Sequence, residues 1–184
     1  NLSSGTTISS TGGTFTFGEG LSVSGGTVNL QDTTLALGSS FSKTGGSLTL
    51  TGTGLELLSD LSLSSDSAVA FDSYQPNGFN LVLPIPSTGN ISLGTITLVS
   101  ENIEVLGGTL SLAGGSVGAS GQVEVGSMGS LSLEGNLAVA GTLNLNDGAT
   151  INFANNTIDA SGGRLELAGT RSLDGITTNA STTL

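Results

Sequence analysis

Glu104 and Glu124 stand 20 residues apart, each at the centre of an apolar triplet, Ile103-Glu104-Val105 and Val123-Glu124-Val125. If the chain repeats its conformation at that spacing, the two carboxylates are neighbours on adjacent turns, about 5 Å apart. Like charges that close either bind a cation or raise the pKa of one member. Paired carboxylates are also the machinery of glycoside hydrolysis. The same register predicts one outward column of Ser22, Ser42, Ser62, Glu104, Glu124, Asn144 and Glu166. It places no Lys or Arg beside the pair to hold an acidic sugar, and no aromatic platform. The expected role of the pair is a solvated polar face; no catalytic residue, metal ligand or cofactor site is assigned, and the chain is read as non-enzymatic.

Other chemistry is narrower still. The chain has no Cys and no His, which removes disulfides, thiolate metal sites, a Cys nucleophile and the commonest general base. Asp147, in LNDGAT, and Asp159 lie near turns and offer oxygen ligands of the kind calcium takes. The glycine-rich nonapeptide series of calcium-binding β-rolls is absent. Thr14-Phe15-Thr16, Thr49-Leu50-Thr51 and Thr95-Ile96-Thr97 are expected at different phases of the repeat, which argues against one long ice-binding threonine ladder. The three basic residues, Lys43, Arg164 and Arg171, against a net charge of -11, exclude the basic patch that nucleic acid requires. No run of 18 apolar residues is present to span a membrane as a helix.

The elements that would position these residues are legible as a period. GGTVNL at Gly25 returns as GGSLTL at Gly45. Strand-like triplets open at Phe15, Leu21 and Val28, then Leu35, Phe41 and Leu48, then Leu55, Leu61 and Val69. After a break the series continues through Ile96, Ile103, Leu110; Val117, Val123, Leu131; Leu137, Leu143, Ile151; and Ile158, Leu165, Leu173. Each triplet alternates apolar and polar residues with period two, and Gly, Ser, Asn or Asp separates the triplets as turns require.

Three short strands in about 20 residues describe a coil with three faces. Stacked coils pair like strands in parallel and bury an edge that no single coil can bury. The predicted fold is all-β: a right-handed parallel β-helix, or three-faced β-solenoid, forming one domain over residues 1–184, with handedness following the usual crossover rule. Leu48, Leu131 and Leu143 are expected inward, stacked between like residues. The Gly pairs Gly12-Gly13, Gly25-Gly26, Gly45-Gly46, Gly107-Gly108 and Gly162-Gly163 are expected at corners.

GGTLSLAGG (Gly107 to Gly115), GTLNLNDGATINFANNTIDASGG (Gly141 to Gly163) and GGRLELAGT (Gly162 to Thr170) resemble repeats of filamentous haemagglutinins and autotransporter passengers. That resemblance implies secretion, an extracellular or cell-surface location, and a role as an adhesin or shaft. It makes a host or cell-surface glycan a candidate partner. The alternative is a carbohydrate-active β-helix.

The register breaks over residues 72–94, which hold Pro76, Pro84 and Pro86 and the single tyrosine, Tyr74. Phe79 to Leu83 and Ile91 to Leu93 are expected to complete a coil there, and the rest of this irregular insertion to bulge from a corner, with Tyr74 and Phe79 as a candidate partner-contact loop. Neither NLSSGTTISS nor RSLDGITTNASTTL reads as a cap. Ile8, Leu173 and Ile176 are therefore candidate self-association positions, covered by head-to-tail stacking of copies or by flanking domains of a longer surface protein.

Overall fold

The computed structural model describes residues 1–85, 87–169 and the backbone of 176–177. Among these residues there is no helix, and the paired strands run parallel, about 20 residues apart, as a β-solenoid. Its three faces follow one another around each coil. The first is entered through Thr7–Thr11, Thr27–Gln31 and Ser47–Thr51, and the second through Thr14–Phe17 and residues 34–37. The third begins at Leu21–Val23 and carries eight stacked strands, ending at Arg164–Leu167.

Register explains the core. Val123, Leu143 and Leu165 lie opposite one another on successive coils and are completely buried. Leu131 sits between Leu110 and Ile151 and is 1 % exposed. A Leu buried this fully stabilises the fold by about 1.5–3 kcal/mol. Because every backbone bond of the ladder runs between coils, each coil depends on its neighbours.

The Gly corners have a steric cause. Gly46 has φ +68°, and a Cβ there would collide with the Gly26 carbonyl oxygen. That same oxygen accepts the Ser47 N–H at 2.9 Å. Gly25-Gly26, Gly45-Gly46 and Gly107-Gly108 all turn from the third face to the first, whereas Gly12-Gly13 and Gly162-Gly163 turn the other two corners.

The stack changes width part-way along. Val23, Lys43 and Ser65 form one column, and Thr34, Gly54 and Ser73 another. The chain takes eleven residues to cross the first face from Val23 to Thr34 and again from Lys43 to Gly54, but eight from Ser65 to Ser73. On the other side the chain gains residues: Leu37 to Phe41 is four positions, yet their partners Leu57 and Leu63 are six apart. Phe41 therefore lies opposite Leu63, not Leu61 as the 20-residue offset predicts, and Leu61 faces Ser39 below and Leu81 above. A second slip of this kind places Val117 opposite Val139 and Leu137 opposite Gly115.

The mismatch leaves a seam. Ser47–Thr51 pairs with Thr27–Gln31 below but forms no ladder with residues 68–71 above. A recess of about 250 Å³ lies there, lined by Leu48, Thr49, Leu50, Ala68, Val69 and Ala70. Leu48, expected in the deep core, is half-buried for this reason.

Residues 72–94 supply strands to all three faces, Leu81–Leu83 and residues 91–93 among them as expected. Residues 73–75 join the second face, Leu81–Leu83 the third, and residues 90–93 the first. Pro76 and Pro84 sit in the turns between them, where no ladder N–H is needed, and their carbonyls accept the N–H groups of Phe79 (2.9 Å) and Ser87 (2.8 Å). Tyr74 lies opposite Leu55 in the core column and is 6 % exposed, so it is not a surface contact. Phe79 is half-buried against the core.

Candidate functional site

The acidic column lies on the third face. Glu104 pairs in register with Glu124, Glu124 with Asn144, and Asn144 with Glu166. Below Glu104 the column continues through Val82, Ser62 and Ser40; Ser22 and Ser42 belong to a separate column that ends on Ser64. The predicted single column is thus two, offset by the change of width.

Glu124 and Glu166 have polar partners close by. Asn146 Nδ2 donates to Glu124 Oε1 at 2.9 Å and Gln122 Nε2 to Oε2 at 3.4 Å. A recess of about 180 Å³ is lined by Asn102, Ile103, Glu104, Gln122 and Glu124. Arg164 pairs with Glu166 at 2.6 Å, one coil beyond Asn144. Lys43 is engaged elsewhere: it is 7 % exposed, pairs with Asp66 at 3.3 Å, and donates to Ser67 Oγ at 2.7 Å. Hydrogen bonding from Ser67, then the Lys43 ammonium, holds the Asp66 carboxyl below its ordinary range. Arg171, Leu173 and the Ile176 side chain lie outside the described residues.

No group of three or more Asp, Glu, His or Cys side chains converges among the described residues. Asp147 follows the third-face strand Thr142–Leu145, whereas Asp159 lies on the second face, so the two candidate calcium ligands are not brought together. Asp159 Oδ1 accepts the Ser161 N–H at 3.0 Å, and Ser161 holds its carboxyl low.

Sequence reasoning misses one buried acid. Glu101 is 7 % exposed and folds back over its own turn, where Oε2 accepts the N–H groups of Val99 (2.6 Å) and Ser100 (3.0 Å). Burial acts to raise its pKa, but backbone N–H bonds from Val99, Glu101, Ser100 and Gly78 outweigh it and leave the carboxyl below its ordinary value. The signal in the sequence is slight: a Glu directly after a Val-Ser turn. Burial, and then the Glu101 charge, push the Tyr74 hydroxyl well above its usual range, and that hydroxyl has no hydrogen-bond partner in the structure.

The first face is chemically different. Its outward ranks are Thr7, Thr27 and Ser47; Ser9, Asn29 and Thr49; and Thr11, Gln31 and Thr51. Beyond the seam they are Asn90, Thr109, Ser130 and Thr150, beside Ser92, Ser111, Ser132 and Asn152, of which Ser111 is only 2 % exposed. None of these strands carries an ionisable residue. Ser111 Oγ donates to Asn90 Oδ1 at 3.0 Å, and the hydroxyls of Ser130 and Thr150 share a bond of 2.5 Å. A recess of about 270 Å³ is lined by Thr109, Ser130, Leu131, Ser132, Thr150, Ile151 and Asn152. Thr49-Leu50-Thr51 lies on this face. The Thr14 and Thr95 pairs share the second face, with Thr34, Gly54 and Ser73 between Thr14 and Thr95.

No protein-family model, no curated protein and no solved structure matches this chain.

Proposed function

We propose that this solenoid is a non-enzymatic structural or adhesive module of the extracellular surface: a shaft segment of a longer protein of the filamentous-haemagglutinin or autotransporter-passenger kind, or a fibre subunit. The observation that carries the reading is the stack itself, coil upon coil paired in parallel about 20 residues apart, an architecture that extends by repetition. Thr7–Thr11 and Thr14–Phe17 pair on one side only. Ile8, Phe15 and Phe17 are half-buried there, while Val28, Leu30, Leu35 and Leu37 one coil on are at most 2 % exposed. Such an edge is a template for another coil. Flanking sequence or a second copy would extend the same stack, and head-to-tail addition of copies does not close, so it makes a filament.

Electron microscopy of the purified chain over a range of concentrations tests self-stacking. Filaments that lengthen with concentration, and that shorten when Thr7→Lys and Ile8→Pro are combined, are the expected result. Particles that stay monomeric at every concentration remove the fibre subunit and leave the shaft.

A second reading, a carbohydrate-active β-helix, is favoured by the adjacent Glu104 and Glu124 and the recess between them. Release of soluble sugar from a polysaccharide, lost in Glu124→Gln, would establish it in place of the structural reading.

A further inference from the structure

The corner between the third face and the first carries an apolar ridge that the structural reading leaves unused. Among the described residues four large apolar side chains stand exposed: Leu58, Ile85, Val99 and Met128. Leu58 and Val99 lie at the corner between the second face and the third, with the turn of Asn77-Gly78 on the coil between them. Exposed apolar residues that stand singly are ordinary. Ile85 and Met128 are not single. They follow the third-face strands at Leu81–Leu83 and residues 123–125, on the coils to either side of Leu106. Met128 lies opposite Gly107 in the ladder. A Cβ on Gly107 would stand 3.3 Å from Ile85 Cγ1, and one on Gly126 would stand 3.4 Å from Leu106 Cδ2. The two glycines thus leave the room that Ile85 and Leu106 fill, and Gly107 is buried beneath them. Ile85, half-buried Leu106 and Met128 form one ridge across three successive coils, with Ile85 52 % and Met128 65 % exposed. A contiguous apolar patch of this kind, rimmed by polar residues, marks an interaction surface.

Charge decides what this ridge can receive. Glu104 lies two residues before Leu106, and Glu124 two residues before Gly126, with Val105 and Val125 pointing inward between them. At the rise of a strand, each acidic residue is about 7 Å along the chain from the ridge. The recess of about 180 Å³ lined by Glu104 and Glu124 is therefore beside the apolar patch. A second copy would set acid against acid: the chain has a net charge of -11, and its Lys43 and Arg164 are held by Asp66 and Glu166. An anionic lipid surface is repelled in the same way.

We propose that this corner docks a basic protein partner. The partner segment seats a large apolar side chain against Ile85, Leu106 and Met128, and places a Lys or Arg between Glu104 and Glu124. An extended segment has the right spacing, because its residues two apart share a face and advance by the same distance as Glu104 and Leu106. The contact is lateral and leaves the axial edges free, so it goes beyond the shaft and fibre readings and depends on neither.

The test is fluorescence anisotropy of the intact chain with short labelled peptides of alternating Lys-Leu, Lys-Ser and Glu-Leu. One variant combines Ile85→Ser with Met128→Ser and removes the ridge. A second combines Glu104→Gln with Glu124→Gln and removes its acidic border. The controls are Val99→Ser, an exposed apolar residue elsewhere, and Glu19→Gln with Glu134→Gln, an equal loss of charge at exposed positions elsewhere. Thermal melting verifies that all four fold. Binding of the Lys-Leu peptide, weakened about tenfold in each of the two variants and retained in both controls, with weaker binding of Lys-Ser and none of Glu-Leu, supports the inference. No binding of Lys-Leu, equal binding of Lys-Ser, or equal loss in variants and controls overturns it. Ultracentrifugation of the chain alone, and its sedimentation with phosphatidylcholine vesicles, test the other occupants. Dimers or vesicle binding that the Ile85 and Met128 variant abolishes would assign the ridge to a second copy or to a lipid surface, and overturn the inference as well.

Discussion

The three coils before the seam and those after it are built from the same triplets, yet they solve the interior differently. In the early coils the first face has three outward ranks, and its inward pairs are Ile8 and Ser10, Val28 and Leu30, and Leu48 and Leu50. In the later coils it has two ranks, over inward pairs such as Ile91 and Leu93 or Leu131 and Leu133, all at most 1 % exposed. Several of the buried polar residues, Lys43, Thr53 and Ser65 among them, gather where the two widths meet, whereas Glu101 and Ser111 lie in the later coils. Lys43 takes an inward position opposite Val23 and Ser65, and the unpartnered Tyr74 hydroxyl lies two coils beyond Lys43. A parallel ladder tolerates a change of perimeter, but the misfit is absorbed at one rung, where packing is poorest and polar groups fill the space that a methyl stack would otherwise occupy.

The widest separation between the regions is expected from one substitution made twice. Leu143→Asp buries a charge between Val123 and Leu165 with no partner, and is expected to cost several kcal/mol, on the order of half the stability of a typical domain. Leu48→Asp, at the seam, leaves its carboxylate in reach of water and is expected to cost less than about half as much. Thermal melting followed by circular dichroism compares them. Equal losses would mean that the seam is packed as tightly as the later core.

Glu101 gives an intermediate effect, confined to the later coils. Glu101→Gln keeps the shape but loses the charge that its backbone donors point at, and is expected to cost about 1–3 kcal/mol at neutral pH. Its folded-state pKa is depressed, so the stabilisation is present above the ordinary Glu value near 4.5 and is lost as pH falls below it through the folded value. The wild type and variant should therefore converge in urea titrations at low pH. A gap that persists there would assign the loss to packing.

The smallest effect is expected at the joint itself. Lys43→Met replaces the buried end of an ion pair whose Asp66 partner is half exposed with an apolar chain beneath Ser65 and above Val23, and is expected to change stability by less than about 1.5 kcal/mol in either direction. A larger loss would make the Lys43–Asp66–Ser67 cluster a specific clamp between the two widths.

How much of this was legible follows from the same contrast. The three-strand period, the parallel stacking and the inward positions of Leu131 and Leu143 follow from triplets punctuated by Gly and Asn. The slip at Phe41 does not. In Leu61-Ser62-Leu63-Ser64-Ser65 a shift of two residues keeps every side chain on its own side of the sheet, so the pattern is the same for either partner. Tyr74 reads as a surface residue because its neighbours are turn-formers, yet Pro76, Asn77 and Gly78 occupy the turn and leave Tyr74 on the strand. Leu48 has the right residue type in the right phase, and only the strand missing above it decides its exposure. The Glu104 and Glu124 pairing is a direct product of the period, while the neutrality of the first face emerges only once eight coils are superposed.

The seam also gives the rod a preferred direction of flexure. Along most of the stack three ladders share any load applied across the axis. At the joint the ladders of the second and third faces continue through Leu55–Tyr74 and Leu61–Leu81, while the first face has no ladder, and backbone bonds cross only at its corners, from the Asp66 N–H to the Lys43 carbonyl (3.0 Å) and from the Asp72 N–H to the Thr53 carbonyl (2.9 Å). Bending that opens the first face strains only these corner bonds; bending that opens either other face must stretch a whole ladder. A shaft built this way would be stiff in two directions and compliant in one, and its soft side would be the face that carries the hydroxyl ranks.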